Sequence, residues 1–92
     1  MDEININGLL KKIGMKFFVD YYTNLSNKNN TVNDITELVL KKHKDYSIKA
    51  IRTRISKSRK IIKEGMGKTA LLQIKSAENI GIETKDKINE LL

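Results

Sequence analysis

From Ser47 to Glu64 no proline or glycine interrupts the chain, and Ile48, Ile51, Ile55 and Ile62 recur at helical spacing before Gly65 stops the run. At 100° per residue, with Ile48 at 0°, Ile51, Ile55 and Ile62 lie between about 300° and 340°, a narrow apolar face. Arg52, Arg59 and Lys63 fall at about 20° to 60°, and Lys49, Thr53, Ser56 and Lys60 at about 80° to 140°. Such a segment forms a helix with one side docked and a ladder of cations and small hydroxyls on the other. Ser47 is suited to cap its N-terminus. Proline is absent throughout and alternation of strand length is hard to find, so the rest is also expected to be helical, punctuated by glycine and asparagine. The 92 residues read as a single all-α domain, 1–92, a small bundle of five to six short helices.

Along the chain, Ile6, Leu9, Leu10 and Ile13 make a first helical stripe that Gly14 ends. A second helix is expected over 15–25, with Phe17, Phe18, Tyr21 and Tyr22 clustered on it, and residues 26–30 (Ser-Asn-Lys-Asn-Asn) as the clearest loop. Thr31 or Asn33 caps a third helix, with Asp34 placed for a capping box, and Ile35, Leu38 and Val39 form its buried side. A further helix over 68–78 would use Ala70, Leu71, Ile74 and Ala77. Thr84 would cap a last one carrying Ile88, Leu91 and Leu92.

The charge is localised. Residues 41–68 hold eleven lysines and arginines against Asp45 and Glu64, a net +9, whereas the segments on either side each sum to −1 within a chain total of +7. A solvated lysine-rich surface would raise the flanks as well, so concentration on one helix suggests a polyanion partner. The cations offset phosphate charge and release counterions, and Ser and Thr between them donate to phosphates or base edges. Lys49, Arg52, Thr53, Ser56, Lys57 and Lys60 are the expected contacts, with Lys63, Lys41, Lys42 and Lys44 on flanking phosphates.

Residues 34–64 resemble a helix-turn-helix, two helices joined by a short turn, with Ile35, Leu38, Val39, Ile48, Ile51 and Ile55 as the packing set. The resemblance implies that the first helix braces the second, which enters the major groove. It points to a duplex-DNA-binding transcription regulator acting as a homodimer on paired half-sites. The last helix with Leu91 and Leu92, or the aromatic helix, would supply the dimer surface. Two alternatives share the basic helix: an RNA or single-strand binder that stacks bases on exposed aromatics, and an interaction module for an acidic protein.

Other chemistries find little footing. Gly65-Met66-Gly67-Lys68-Thr69 ends like a phosphate-binding loop, but its first glycine would sit at Ile62, after a charged helix instead of a strand. His43 stands alone and cysteine is absent, so no transition-metal site is expected, and His43 reads as a helix-terminal dipole partner. The acids are too scattered for a Mg²⁺ nuclease. No catalysis, cofactor or small-molecule ligand is expected. The start, Met1-Asp2-Glu3, is acidic where a signal peptide is basic, and no apolar run is long enough to span a bilayer. With no cysteine, this suggests a cytoplasmic protein without membrane contact. Fifteen lysines against three arginines, with abundant isoleucine and asparagine, suggest an AT-rich source, such as a low-GC bacterium or its mobile elements.

Overall fold

The computed structural model describes residues 5–77 and 80–92, and these residues contain seven α-helices and no strand. The expected Ser47 cap closes the N-terminus of the longest, α5 (Ile48–Lys63), its Oγ accepting from the Ala50 N–H at 3.0 Å. Gly65, at φ 76°, turns the chain beyond it in a conformation that side chains disfavour. Ahead of it, α4 (Val32–Lys42) opens on the expected capping box. Thr31 Oγ1 accepts from Asp34 N–H and Asp34 Oδ2 from Thr31 N–H, both at 3.1 Å. α1 (Ile6–Ile13) is capped by Asn5 and stopped by Gly14 at φ 92°.

The helix expected over 15–25 is two helices, α2 (Met15–Asp20) and α3 (Tyr22–Ser26), hinged at Tyr21 with φ −109° and ψ 13°. Hydrogen bonding continues through the hinge, from Tyr21 N–H to Phe17 O and from Leu25 N–H to Tyr21 O. The bend sends the two halves to different partners: α2 packs on the last helix and α3 on α5. The aromatics follow as ring pairs, Phe17 with Tyr21 at 5.0 Å and Phe18 with Tyr22 at 5.5 Å.

α6 (Gly67–Lys75) buries Ala70, Leu71 and Ile74. It ends at Lys75 with Ser76 as its C-cap, short of the expected end at 78, so Ala77, expected on its apolar side, lies beyond the helix, while Glu78 itself lies outside the described residues. Gly67 is buried, and a Cβ there would lie 2.5 Å from the Tyr22 hydroxyl, so close helix approach explains this glycine without any phosphate loop. α7 (Ile82–Leu91) has Gly81 as its N-cap. Thr84, expected to cap it, is instead within the helix and buried, because the helix begins three residues earlier than expected, at Ile82. Ile88 is buried, Leu91 half-buried and Leu92 exposed.

α5 is the central helix, packed against α1, α3, α4 and α6. Its buried residues are Ile51, Ile55, Ser58 and Ile61, with Ile62 half-buried. Ile48, expected in the packing set, is 55% exposed. Four neighbouring helices bury a sector centred roughly 75° from Ile48 on the helical projection, so Ile48 falls at its edge. Ser58 is tolerated there because its hydroxyl donates to Arg54 O at 2.7 Å. Leu38 departs from expectation in the same way. It is 37% exposed, while Ile35, Thr36 and Val39 face the core and Thr36 donates its hydroxyl to Val32 O.

Candidate nucleic-acid interface

The side of α5 away from the core carries Lys49, Arg52, Thr53, Ser56, Lys60 and Lys63, all exposed, with Lys57 half-buried at its edge. The expected flanking cations Lys41 and Lys42 are exposed in the last turn of α4, and Lys44 is exposed in the turn that follows. The structure therefore brings the α5 residues into one strip and places the other three at the entry to the same helix. Both ion pairs among the described residues converge on Asp20: Lys16 at 2.9 Å and Lys87 at 3.6 Å. None of the ten expected contact residues belongs to either pair. The hydrogen bond that Lys16 Nζ donates to Asp20 Oδ2, and the charge of Asp20, hold the Lys16 ammonium above its usual lysine value.

The Thr53 hydroxyl is less free than the lysines. Thr53 donates to Lys49 O at 3.0 Å within the helix, which leaves its oxygen lone pairs for an external donor. The three arginines are also engaged. Arg52 donates from Nη2 to Asn33 Oδ1 at 2.5 Å, tying α5 to the start of α4. Arg54 lies with its guanidinium 5.7 Å from the Phe17 ring centroid and 5.3 Å from that of Tyr46, and Tyr46 stacks on His43 at 4.5 Å. Arg59, expected on the cation ladder, turns onto backbone carbonyls, donating to Leu25 O at 3.3 Å and also to Asn27 O and Asn30 O. Arg59 thus pins the polar loop to α5. His43 ends α4, its N–H bonded to Val39 O.

Two grooves border the exposed strip. One, about 500 Å³, lies between α1 and the N-terminal half of α5 and is lined by Lys12, Lys49, Thr53, Arg54 and Lys57. The other, about 580 Å³, lies between the polar loop and the C-terminal end of α5 and is lined by Asn27, Lys28, Arg59 and Lys63. No acidic side chain lines either groove. Lys12 and Lys28 were not expected to belong here, since both lie in a segment whose net charge is −1. Only the packing of α1 and of the loop against α5 brings them in, and nothing in their local sequence signals it.

The strip and its bordering grooves are cationic, and the aromatic helix leaves little ring surface open. Phe17, Phe18 and Tyr21 are at most 6% exposed, and Tyr22 is half-buried. Among the described residues no three His, Asp or Glu side chains converge on a common point, and no helix is long and apolar enough to cross a membrane. No protein-family model, curated protein or solved structure matches this chain.

Proposed function

We propose that this chain is a non-enzymatic, cytoplasmic duplex-DNA-binding module that lays α5 in the major groove and acts as a transcription regulator. One observation carries the reading: the exposed strip of α5 is built from lysines, Arg52 and small hydroxyls, and none of its lysines is paired to an acid among the described residues. An unpaired lysine has no intramolecular partner to give up on meeting a phosphate, so counterion release is the main gain. In the helix-turn-helix reading α4 braces α5, through the Arg52–Asn33 bond and the packing of Ile35 and Val39. Ile48, exposed in the first turn of α5, is then available to touch a thymine methyl group, the apolar feature of the major groove. Dimerisation through α7, where Ile82 and Leu92 are exposed, would place two copies of α5 on paired half-sites.

A gel-shift titration with duplex DNA, single-stranded DNA and RNA at several salt concentrations tests this reading. Duplex DNA is expected to bind with Kd below about 100 μM in low salt, as even non-specific binders do. The double variant Lys57→Ala/Lys60→Ala should flatten the dependence of log K on log salt by about two units. Equal affinity for single strands favours the single-strand alternative. Absence of binding to any nucleic acid favours an acidic protein partner.

A further inference from the structure

The two basic grooves lie on opposite sides of α5, with the exposed lysine strip as a ridge between them. On the helical projection the α1-side groove is centred near 170° and the loop-side groove near 10°, while Lys49, Ser56, Lys60 and Lys63 occupy about 60° to 120°. Along the axis the groove centres are about eight residues apart, or about 12 Å at 1.5 Å per residue. Across a helix 10–12 Å thick that gives a diagonal of roughly 16 Å. B-DNA offers a major groove about 12 Å wide, walled on each side by a phosphate backbone. A ridge of helical width flanked at that spacing by two acid-free cationic grooves matches both walls at once.

We propose that the protein grips both DNA strands across one major groove, with Lys12 of α1 holding one phosphate backbone and Lys28 of the polar loop holding the other. This rests on the duplex-DNA reading above and adds two residues and two elements to it. Lys12 is exposed and shares its groove with Lys49 and Lys57. Lys28 is exposed and shares its groove with Lys63. Arg59 holds the loop that carries Lys28 against α5 through the carbonyls of Leu25, Asn27 and Asn30, so this cation is presented on a tethered loop. α1 is fixed to α5 by the packing of Leu10 and Ile13 into the core. The backbone carrying each clamp is thereby held to α5, which reduces the ordering cost of engaging it to that of the lysine side chain.

The test compares the full-length chain with Lys12→Ala, Lys28→Ala, the double variant, and Lys75→Ala, an exposed lysine on α6 that lines neither groove. Binding to a 25-base-pair duplex is measured by fluorescence anisotropy between 50 and 200 mM salt, and circular dichroism melts establish that each variant folds. Lys12→Ala and Lys28→Ala should each weaken binding severalfold and lower the salt slope by about one, the double variant by about two, with Lys75→Ala unchanged. If the parent binds duplex DNA and neither variant differs from Lys75→Ala, the clamp is refuted and the α5 interface stands. A change in only one of the two refutes the two-strand grip. If the parent fails to bind duplex DNA at low salt, the underlying reading falls first. Equal binding of double-stranded RNA also counts against the proposal, because the deep, narrow A-form major groove does not admit a helical ridge.

Discussion

The inner and outer sides of α5 both carry cations, yet they use different ones. All three arginines of the chain, Arg54 and Arg59 half-buried and Arg52 exposed beside the strip, are committed to the protein itself, to two aromatic rings, to backbone carbonyls and to a side-chain amide. On the outer side Lys49, Lys60 and Lys63 stand in solvent and take no part in either ion pair. The guanidinium is planar, weakly hydrated and rich in fixed donors, which suits ring faces and clustered carbonyls, whereas the ammonium is a compact, strongly hydrated point charge on a flexible stem. The same positive charge is therefore divided by shape into a set engaged within the fold and a set left in solvent, which the proposed function assigns to binding. If that division is real, changes on the inner side alter stability with little direct effect on binding, and changes on the outer side do the reverse.

The largest expected effect lies in the core of the inner side. Ile55 is fully buried in the hydrophobic core. Ile55→Ala removes its transfer energy and leaves a cavity, costing about 2–5 kcal/mol, a large share of the roughly 5–15 kcal/mol that holds a domain of this size together. A urea titration followed by circular dichroism should show the midpoint falling with little change of slope. Under conditions where the variant remains folded, its salt slope for DNA should equal the parent's. A changed slope would mean that the inner side also positions the cations.

How far the sequence revealed this division can be judged from particular residues. The α5 cap, the Thr31–Asp34 box, the loop at 26–30 and the glycine stops were legible because each depends on chemistry within a few residues of itself. Ile51 and Ile55 were legible because their periodicity alone selects the buried side. Ile48 and Leu38 were misplaced because the width and direction of a buried sector depend on how many helices surround it, which periodicity does not encode. The kink at Tyr21 was invisible for a related reason, since it lets α2 and α3 reach separate partners. In the candidate site, the exposed lysines were readable from charge and projection. The inward turn of Arg59 and the arrival of Lys12 and Lys28 were not, because both arise from contacts between segments distant in sequence.

A smaller and opposite effect is expected at Tyr21. Its ring is buried against Phe17, and its hydroxyl is buried without a hydrogen-bond partner. Leaving a buried hydroxyl unsatisfied costs about 1–3 kcal/mol, so Tyr21→Phe should stabilise the fold by about 1 kcal/mol and leave DNA affinity unchanged. Burial, and behind it the Asp20 carboxylate, raise the Tyr21 hydroxyl above the usual tyrosine value, and burial does the same for Tyr22. For a group raised in the folded state, the stabilising contribution is complete below the unfolded value near pH 10 and is lost as pH climbs through the folded value. Parent stability should accordingly fall above about pH 10, and Tyr21→Phe should fall less steeply. Equal alkaline slopes in the two proteins would show that Tyr21 ionises as freely folded as unfolded.

The smallest effect sharpens the comparison most, because it uses the same residue type on the same helix. Ile48 is 55% exposed where Ile55 is fully buried. Fully burying an isoleucine contributes about 1.5–3 kcal/mol, so the roughly half of Ile48 that is shielded is worth about 1 kcal/mol. Alanine regains about 0.4 kcal/mol of helix propensity, which leaves Ile48→Ala with a net cost of roughly 0.5 kcal/mol. If the outer side reads DNA, the same substitution removes an apolar contact to a thymine methyl, and it should weaken binding to A·T-containing sites more than to G·C-only sites while leaving the salt slope intact. A stability loss approaching that of Ile55→Ala would place Ile48 in the core. A reduced salt slope would mean that it helps to orient the neighbouring Lys49. Equal weakening on both kinds of site would remove it from base contact and leave α5 as a phosphate-binding ridge.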